Sequence, residues 1–120
     1  MKVIVTSSGK ALDAPVDPRF GRAAYFILVD TETNAFEAHD NAQNLNAAQG
    51  AGIQAAEMVS RLGAEVVITG HCGPKAFRTL QAAGIKVVVG AQGTVANALE
   101  ALKSSKLKPT EASDVEGHWA

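Results

Sequence analysis

Four short runs of almost uninterrupted apolar, mostly β-branched or aromatic residues constrain the fold more than any other feature of the sequence. They are Val3–Thr6, Tyr25–Val29, Val66–Thr69 and Val87–Val89. A strand that faces water on one side alternates apolar and polar residues, whereas a strand covered on both faces does not. The runs therefore predict an α/β fold in which helices cover both faces of a sheet.

A fifth, weaker strand is predicted at about Ala35–His39, where apolar and polar residues alternate. It follows the turn-rich segment Asp30–Asn34, so we pair it with the second strand as a hairpin. Its half-polar pattern is typical of a strand at the edge of a sheet.

Three amphipathic stretches predict helices at Gln49–Leu62, Lys75–Ala83 and Thr94–Leu102. The fourth and fifth strands are then reached through helical crossovers, which are right-handed and give parallel strands. The expected arrangement is a mixed five-stranded sheet of order 3-2-1-4-5 with strand 2 antiparallel to the others. Residues 1–102 form the predicted domain, and residues 103–120 are predicted to be a flexible C-terminal tail.

Charge and cysteine content exclude several classes of function. The 120 residues include 11 basic and 12 acidic side chains, a balance that argues against general nucleic-acid binding. The single cysteine, Cys72, excludes an internal disulfide and a zinc site made of several thiolates. The longest apolar run, Ala23–Val29, is far below the roughly 18 residues of a membrane span, and the N-terminal apolar run is too short for a signal peptide. We therefore expect a cytoplasmic protein without membrane contact.

The predicted topology places three loops at one edge of the sheet, where the chain changes direction and ligands commonly bind. The loops are Ser7–Ala23, Gly70–Pro74 and Gly90–Thr94. The first carries Lys10, Arg19 and Arg22, and the other two are glycine-rich and open helices, whose N-terminal amides attract anions. This combination indicates an anion pocket. The alternative is a solvated loop with local ion pairs beside two ordinary strand-to-helix turns.

His71 and Cys72 add a possible metal contact. A helix start and the neighbouring His71 and Lys75 would lower the pKa of a thiol at Cys72 and favour a reactive thiolate. The alternative is a small buried apolar residue. The two residues cannot complete a zinc site, but they could help to hold a soft metal such as Cu(I).

Two other motifs do not fit their surroundings. The glycines of Gly50–Ala55 have the spacing of a dinucleotide-binding loop, but a polar stretch precedes them instead of a strand. The central strand lacks the carboxylates of a two-metal nuclease. With no nucleophile–base pair in place, we do not expect an enzyme.

Several segments resemble one known family. Asp17–Ala23, with the letters DPRFGRA, resembles the D-x-R-F-G-R-A signature of the dinitrogenase iron–molybdenum cofactor biosynthesis family. Gly63–Ala76 is similar to its second block, and Gly84–Val87 and Gly93–Val95 continue the similarity across nearly all of residues 1–102. The resemblance implies a three-layer ribonuclease-H-like fold without nuclease residues. It also implies a non-catalytic carrier of an anionic metal–sulfur cluster.

Within that family the chain is most similar to small single-domain members, which carry a molybdenum–copper sulfide cluster without covalent attachment. Other members carry the iron–molybdenum cofactor or its precursor, so cluster-assembly or ATPase proteins are the implied partners. The alternative is a regulatory protein that binds a phosphate ester or nucleotide in the same crevice.

The expected contacts to such a cluster follow from its negative charge and sulfur surface. Cations would offset the charge, glycine amides would donate to sulfur, and two side chains could ligate metal directly. The polar stretch that begins at the end of the hairpin, including His39, Asn41 and Asn44, would close one side. The predicted binding residues are Lys10, Arg19, Phe20, Arg22, Gly70, His71, Cys72, Gly73, Lys75 and Gly90, with Cys72 and His71 as the metal contacts.

Overall fold

The sheet has the predicted order and directions. The computed structural model describes residues 1–41 and 50–110. Its strands are β1 (Lys2–Ser7), β2 (Tyr25–Asp30), β3 (Phe36–Asp40), β4 (Val66–Ile68) and β5 (Lys86–Val88), arranged in the order β3-β2-β1-β4-β5. β2 is antiparallel to both of its neighbours, whereas β1, β4 and β5 are parallel. The prediction of a mixed five-stranded α/β sheet is confirmed.

Within the described residues, three helices lie at nearly the predicted positions. They are α1 (Ala51–Arg61), α2 (Pro74–Ala82) and α3 (Val95–Lys103). The predicted first residue of α1, Gln49, lies outside the described residues. Among those residues no helix is long and apolar enough to cross a membrane.

The helices are divided between the two faces of the sheet, which explains the continuous apolar runs. Alternate residues of β2 point to opposite faces: Phe26 and Leu28 pack with α1 and α2, and Ile27 and Val29 pack with α3. Full burial of such a side chain contributes about 1.5–3 kcal/mol. We call these two sides the α1/α2 face and the α3 face.

The chain beyond α3 returns to the sheet. Leu107 packs against the core of the α3 face, and the backbone amide of Thr110 donates to the carbonyl of Val87 at 2.7 Å. These contacts place residues 107–110 beside β5, although the sequence assigned them to the tail. The rest of that tail, residues 111–120, lies outside the described residues, and the boundary at residue 102 stays a prediction.

Candidate functional site

The three predicted loops meet at the carboxyl ends of β1, β4 and β5. We call this edge the rim (residues 7–24, 69–75 and 89–95). Loop 7–24 crosses it, and its first half docks on the α3 side. There the amide of Val16 donates to the carbonyl of Gly93 at 2.9 Å, and Pro15 forms a bridge with Thr94. The long loop is therefore attached to the glycine corner that precedes α3.

The start of α3 is occupied by the protein itself. The amides of Val95 and Ala96 donate to the carbonyls of Ala14 and Leu12, at 2.9 and 2.8 Å. Thr94 and Asn97 form a capping box, in which each side chain accepts from the other residue's amide at 3.1 and 3.0 Å. The N-terminal amides of α3 therefore face protein acceptors, so this corner does not supply the free donors that the sequence predicted.

Gly90 is part of the same corner. Its amide donates to the carbonyl of Gly70 at 2.9 Å, and the amide of Ala91 donates to the carbonyl of Thr69 at 3.2 Å. These bonds join the ends of β4 and β5. Gly90 shapes the corner, and its amide is committed within the protein rather than aimed at a ligand.

The second half of the loop lies beside the end of β4. The amide of His71 donates to the carbonyl of Pro18 at 2.7 Å, and the amide of Phe20 donates to the carbonyl of His71 at 3.2 Å. Arg19 and His71 thereby form a parallel bridge. Two of the predicted site residues, far apart in sequence, are neighbours at the rim.

Gly70 makes this contact possible. A Cβ atom on Gly70 would lie 2.7 Å from the Cα and 2.8 Å from the carbonyl oxygen of Pro18. At such distances one of the two groups must move, and the backbone of Pro18 moves far less easily than the end of a flexible side chain. Gly70 is therefore required for the loop to approach β4, a packing role that the sequence analysis did not anticipate.

Asp17 organises the arginine-bearing segment and was missed as a site residue. Its buried carboxylate accepts from the amide of Arg19 at 3.1 Å and from that of Ala24 at 3.4 Å. Its carbonyl accepts from the hydroxyl of Thr6 at 2.7 Å, and that hydroxyl lies 2.9 Å from the hydroxyl of Thr69. The sequence feature that could have identified Asp17 is the Asp-Pro-Arg run, because an aspartate side chain commonly accepts from the backbone amide two residues further on.

Phe20 and Cys72 lie beneath the rim on the α1/α2 face. Both are fully buried, and the ring of Phe20 packs on that of Phe26 with centroids 5.7 Å apart. The thiol of Cys72 lies 3.7 Å from the carbonyl oxygen of Gly73. This placement makes Phe20 an anchor for the loop and matches the buried alternative for Cys72. No group of three or more His, Cys, Asp or Glu side chains within residues 1–41 and 50–110 is arranged to hold a metal ion.

We call the start of α2 the open corner of the rim because no described residue accepts from its first-turn amides, although Gly73 and Ala76 are themselves buried. Gly73 precedes the helix without a side-chain cap, and Pro74 has no amide hydrogen to donate. The first-turn amides of Lys75 and Ala76 have no acceptor among the residues that the structure describes. Lys75 is exposed there. This corner, unlike that of α3, keeps the anion-attracting features of a helix N-terminus.

Lys10 lies beside Tyr25, the first residue of β2. Its ammonium is 5.7 Å from the centroid of the Tyr25 ring, which shares the α3 face with Ile27. The structure therefore brings Arg19, Gly70 and His71 together next to the start of α2, and it places Lys10 against the ring of Tyr25.

The remaining loop cation, Arg22, is half-buried in the segment that Asn41 braces. The side-chain amide of Asn41 donates to the carbonyls of Ala23 and Gly21, at 2.8 and 3.3 Å. Asn41 therefore fixes the end of the signature segment. His39, in β3, lies 3.5 Å from the carboxylate of Glu37. Asn44, predicted to close one side of the pocket, lies outside the described residues.

Comparison with known proteins identifies close relatives of this architecture. The apo form of the orange protein from Desulfovibrio gigas has 43% sequence identity and a TM-score of 0.93, covering 95% of this chain and 96% of the other. A DUF35-family protein from Thermotoga, named for NifB, has 35% identity and a TM-score of 0.80, covering 95% and 98%. An uncharacterized protein of Methanocaldococcus jannaschii is 24% identical over 98 residues, which are 80% of this chain and 83% of the other.

The family model described as "Dinitrogenase iron-molybdenum cofactor" matches residues 1–105. This range contains the whole rim, including the Asp17–Ala23 signature and the Arg19–His71 bridge. The predicted resemblance is therefore confirmed: this chain belongs to the dinitrogenase iron–molybdenum cofactor family.

Proposed function

We propose that the rim binds an anionic molybdenum-containing metal–sulfur cluster as cargo, holds it largely without covalent attachment and carries it without converting it. The observation that carries the proposal is the Arg19–His71 bridge, which joins the arginine-bearing signature to the open start of α2. Family membership and the likeness to the orange protein support it.

The chemistry of the open corner suits such a cargo. A thiometallate is large, negative and weakly hydrated, so its binding needs positive charge and donors without strong competition from water. Arg19 and Lys75 supply charge, and the amides at the start of α2 supply donors. His71, which is half-buried, supplies a side-chain contact.

A molybdenum–copper sulfide cluster is the cargo that the family resemblance favours. Cu(I) prefers sulfur ligands, and Cys72 is the chain's one thiol. Because that thiol is buried, we expect charge and hydrogen bonding to dominate over coordination. The proteins that donate or receive the cargo would be the cluster-assembly or ATPase partners implied by the resemblance.

Reconstitution tests the proposal directly. Purified protein would be mixed with tetrathiomolybdate and Cu(I) and passed over a size-exclusion column. We expect visible charge-transfer absorption to elute with the protein, together with molybdenum and copper in constant ratio. Elution of all the colour with the small molecules would contradict the proposal.

A parallel titration distinguishes the phosphate-binding alternative from binding of a metal–sulfur cluster. The open start of α2 suits phosphate as well as sulfide, which keeps this alternative relevant. Calorimetric titration with common nucleotides at millimolar concentration should give no heat of binding. Saturable heat with a nucleotide, in a protein that retains no thiometallate, would favour a regulatory nucleotide-binding protein instead.

A further inference from the structure

A groove between α1 and α2 opens beside the rim. It has a volume of about 510 Å³ and is lined by Ile53 of α1 and by Lys75, Arg78, Thr79 and Ala82 of α2. Ile53 is 36% exposed and gives the groove an apolar floor. Of the lining cations, Arg78 has no part in the site predicted from the sequence.

The groove carries positive charge that the described residues do not neutralise. Lys75 and Arg78 are exposed and three residues apart, so they lie on the same side of α2, and that helix contains no acidic residue. Glu57 lies one turn beyond Ile53 on α1 but does not line the groove. Within the part of the chain that the structure describes, no ion pair joins it to Arg78.

The two cations continue the charge of the rim outward. Lys75 lies in the first turn of α2, next to the open amides, and Arg78 is about 4.5 Å further along the helix axis at a rise of about 1.5 Å per residue. His71, which forms the bridge with Arg19, precedes Lys75 by four residues. The positive charge of the groove therefore begins next to the rim.

We infer that this groove is a landing subsite for the anionic cargo, in which Lys75 and Arg78 attract a thiometallate and deliver it to the rim. The inference rests on the proposed function and adds a kinetic role to a residue outside the predicted site. A one-signed cleft raises the association rate of an oppositely charged ligand, and salt suppresses this effect. The apolar floor at Ile53 suits a soft, weakly hydrated sulfide anion.

Stopped-flow mixing with a preformed tetrathiomolybdate–Cu(I) complex tests the inference. Arg78→Glu should lower the association rate constant about three- to tenfold at low ionic strength, and the difference should disappear as salt approaches about 0.5 M. Glu57→Gln should associate slightly faster than the wild type. Lys106→Glu, an exposed charge reversal beyond the far end of α3, is the matched control and should associate at the wild-type rate.

Two results would overturn the inference while leaving the proposed function intact. One is wild-type association by Arg78→Glu at low salt, and the other is a slowing that salt does not reduce, which indicates a structural effect. Circular dichroism of each variant checks that it is folded. If the wild-type protein binds no complex at all, the proposed function is wrong and the landing subsite is refuted with it.

Discussion

Gly70 is the residue at which backbone packing most directly controls the site. Its missing side chain lets Pro18 lie against the end of β4, and that approach places Arg19 beside His71. From the sequence alone, Gly70 is predicted to bind the ligand, because glycine-rich turns at helix starts commonly hold anions. A close approach of two backbones leaves the same signal in a sequence, so the two roles could not be separated before the structure.

Gly70→Ala should disturb both stability and binding. The new Cβ would force the Pro18 segment away, and such overpacking costs about 1–3 kcal/mol of unfolding free energy. Gly63→Ala is the matched control: it meets open space but has φ of +82°, so it should cost about 1–2 kcal/mol through backbone strain alone. Urea denaturation and thiometallate binding should show lower stability in both variants and weaker binding only in Gly70→Ala. Equal binding by the two variants would contradict the role of the Pro18 contact.

Asp17→Ala should destabilise the signature segment. Loss of the carboxylate leaves the amides of Arg19 and Ala24 without their acceptor, at a cost of about 1–3 kcal/mol. Asp13→Ala removes an exposed carboxylate from the same loop and should change stability by less than about 0.5 kcal/mol. Urea denaturation of the two variants measures the difference. Equal stability would contradict the role of the Asp17 carboxylate as an acceptor that organises this segment.

At the level of elements, α2 and α3 begin in similar sequences but in different surroundings. Each follows a glycine-containing turn at the rim, and from sequence both were expected to offer free amides. The carbonyls of Leu12 and Ala14 occupy the start of α3, whereas the start of α2 has no such partner among the described residues. Contacts across 80 or so residues of chain are not encoded in a local pattern, which is why the sequence could not distinguish the two helices.

Amide hydrogen exchange of the apo protein should reveal this contrast. The amides of Val95 and Ala96 should exchange slowly because both are hydrogen-bonded to the loop. Those of Lys75 and Ala76, also in the first turn of their helix, should exchange faster and slow down when the cargo binds. Exchange measured residue by residue by NMR provides the test, and rapid exchange at Val95 and Ala96 would mean that the loop is not docked on α3.

The sheet was largely predictable from the sequence because its physical signals are local. Apolar runs marked β1, β2, β4 and β5, and the alternating run at β3 identified an edge strand. The position of Lys10 was not predictable in the same way. It depends on which face of β2 presents Tyr25, and the contact of Lys10 with that ring forms only when the loop is placed in three dimensions.

At the scale of the whole molecule, the main feature is that loop 7–24 is attached to the sheet and helices at two places. Its first half is bonded to the α3 corner, and its second half is bonded to the end of β4 on the way to the α1/α2 face. Attachment at both ends holds the arginine-bearing segment in place before any cargo arrives. We therefore expect binding to a largely preformed site, with little cost in loop ordering.

The most direct test of the central claim compares charge with coordination in binding the tetrathiomolybdate–Cu(I) complex. Dissociation constants would be measured for Arg19→Glu, Arg22→Glu and Cys72→Ser, with Lys106→Glu as the control. We predict that each arginine reversal weakens binding about tenfold or more at low salt, a loss of about 1.4 kcal/mol per tenfold, whereas Cys72→Ser and Lys106→Glu retain most of the affinity. Loss of binding in Cys72→Ser together with normal binding by both arginine variants would contradict a site that works by charge and would establish thiolate coordination in its place.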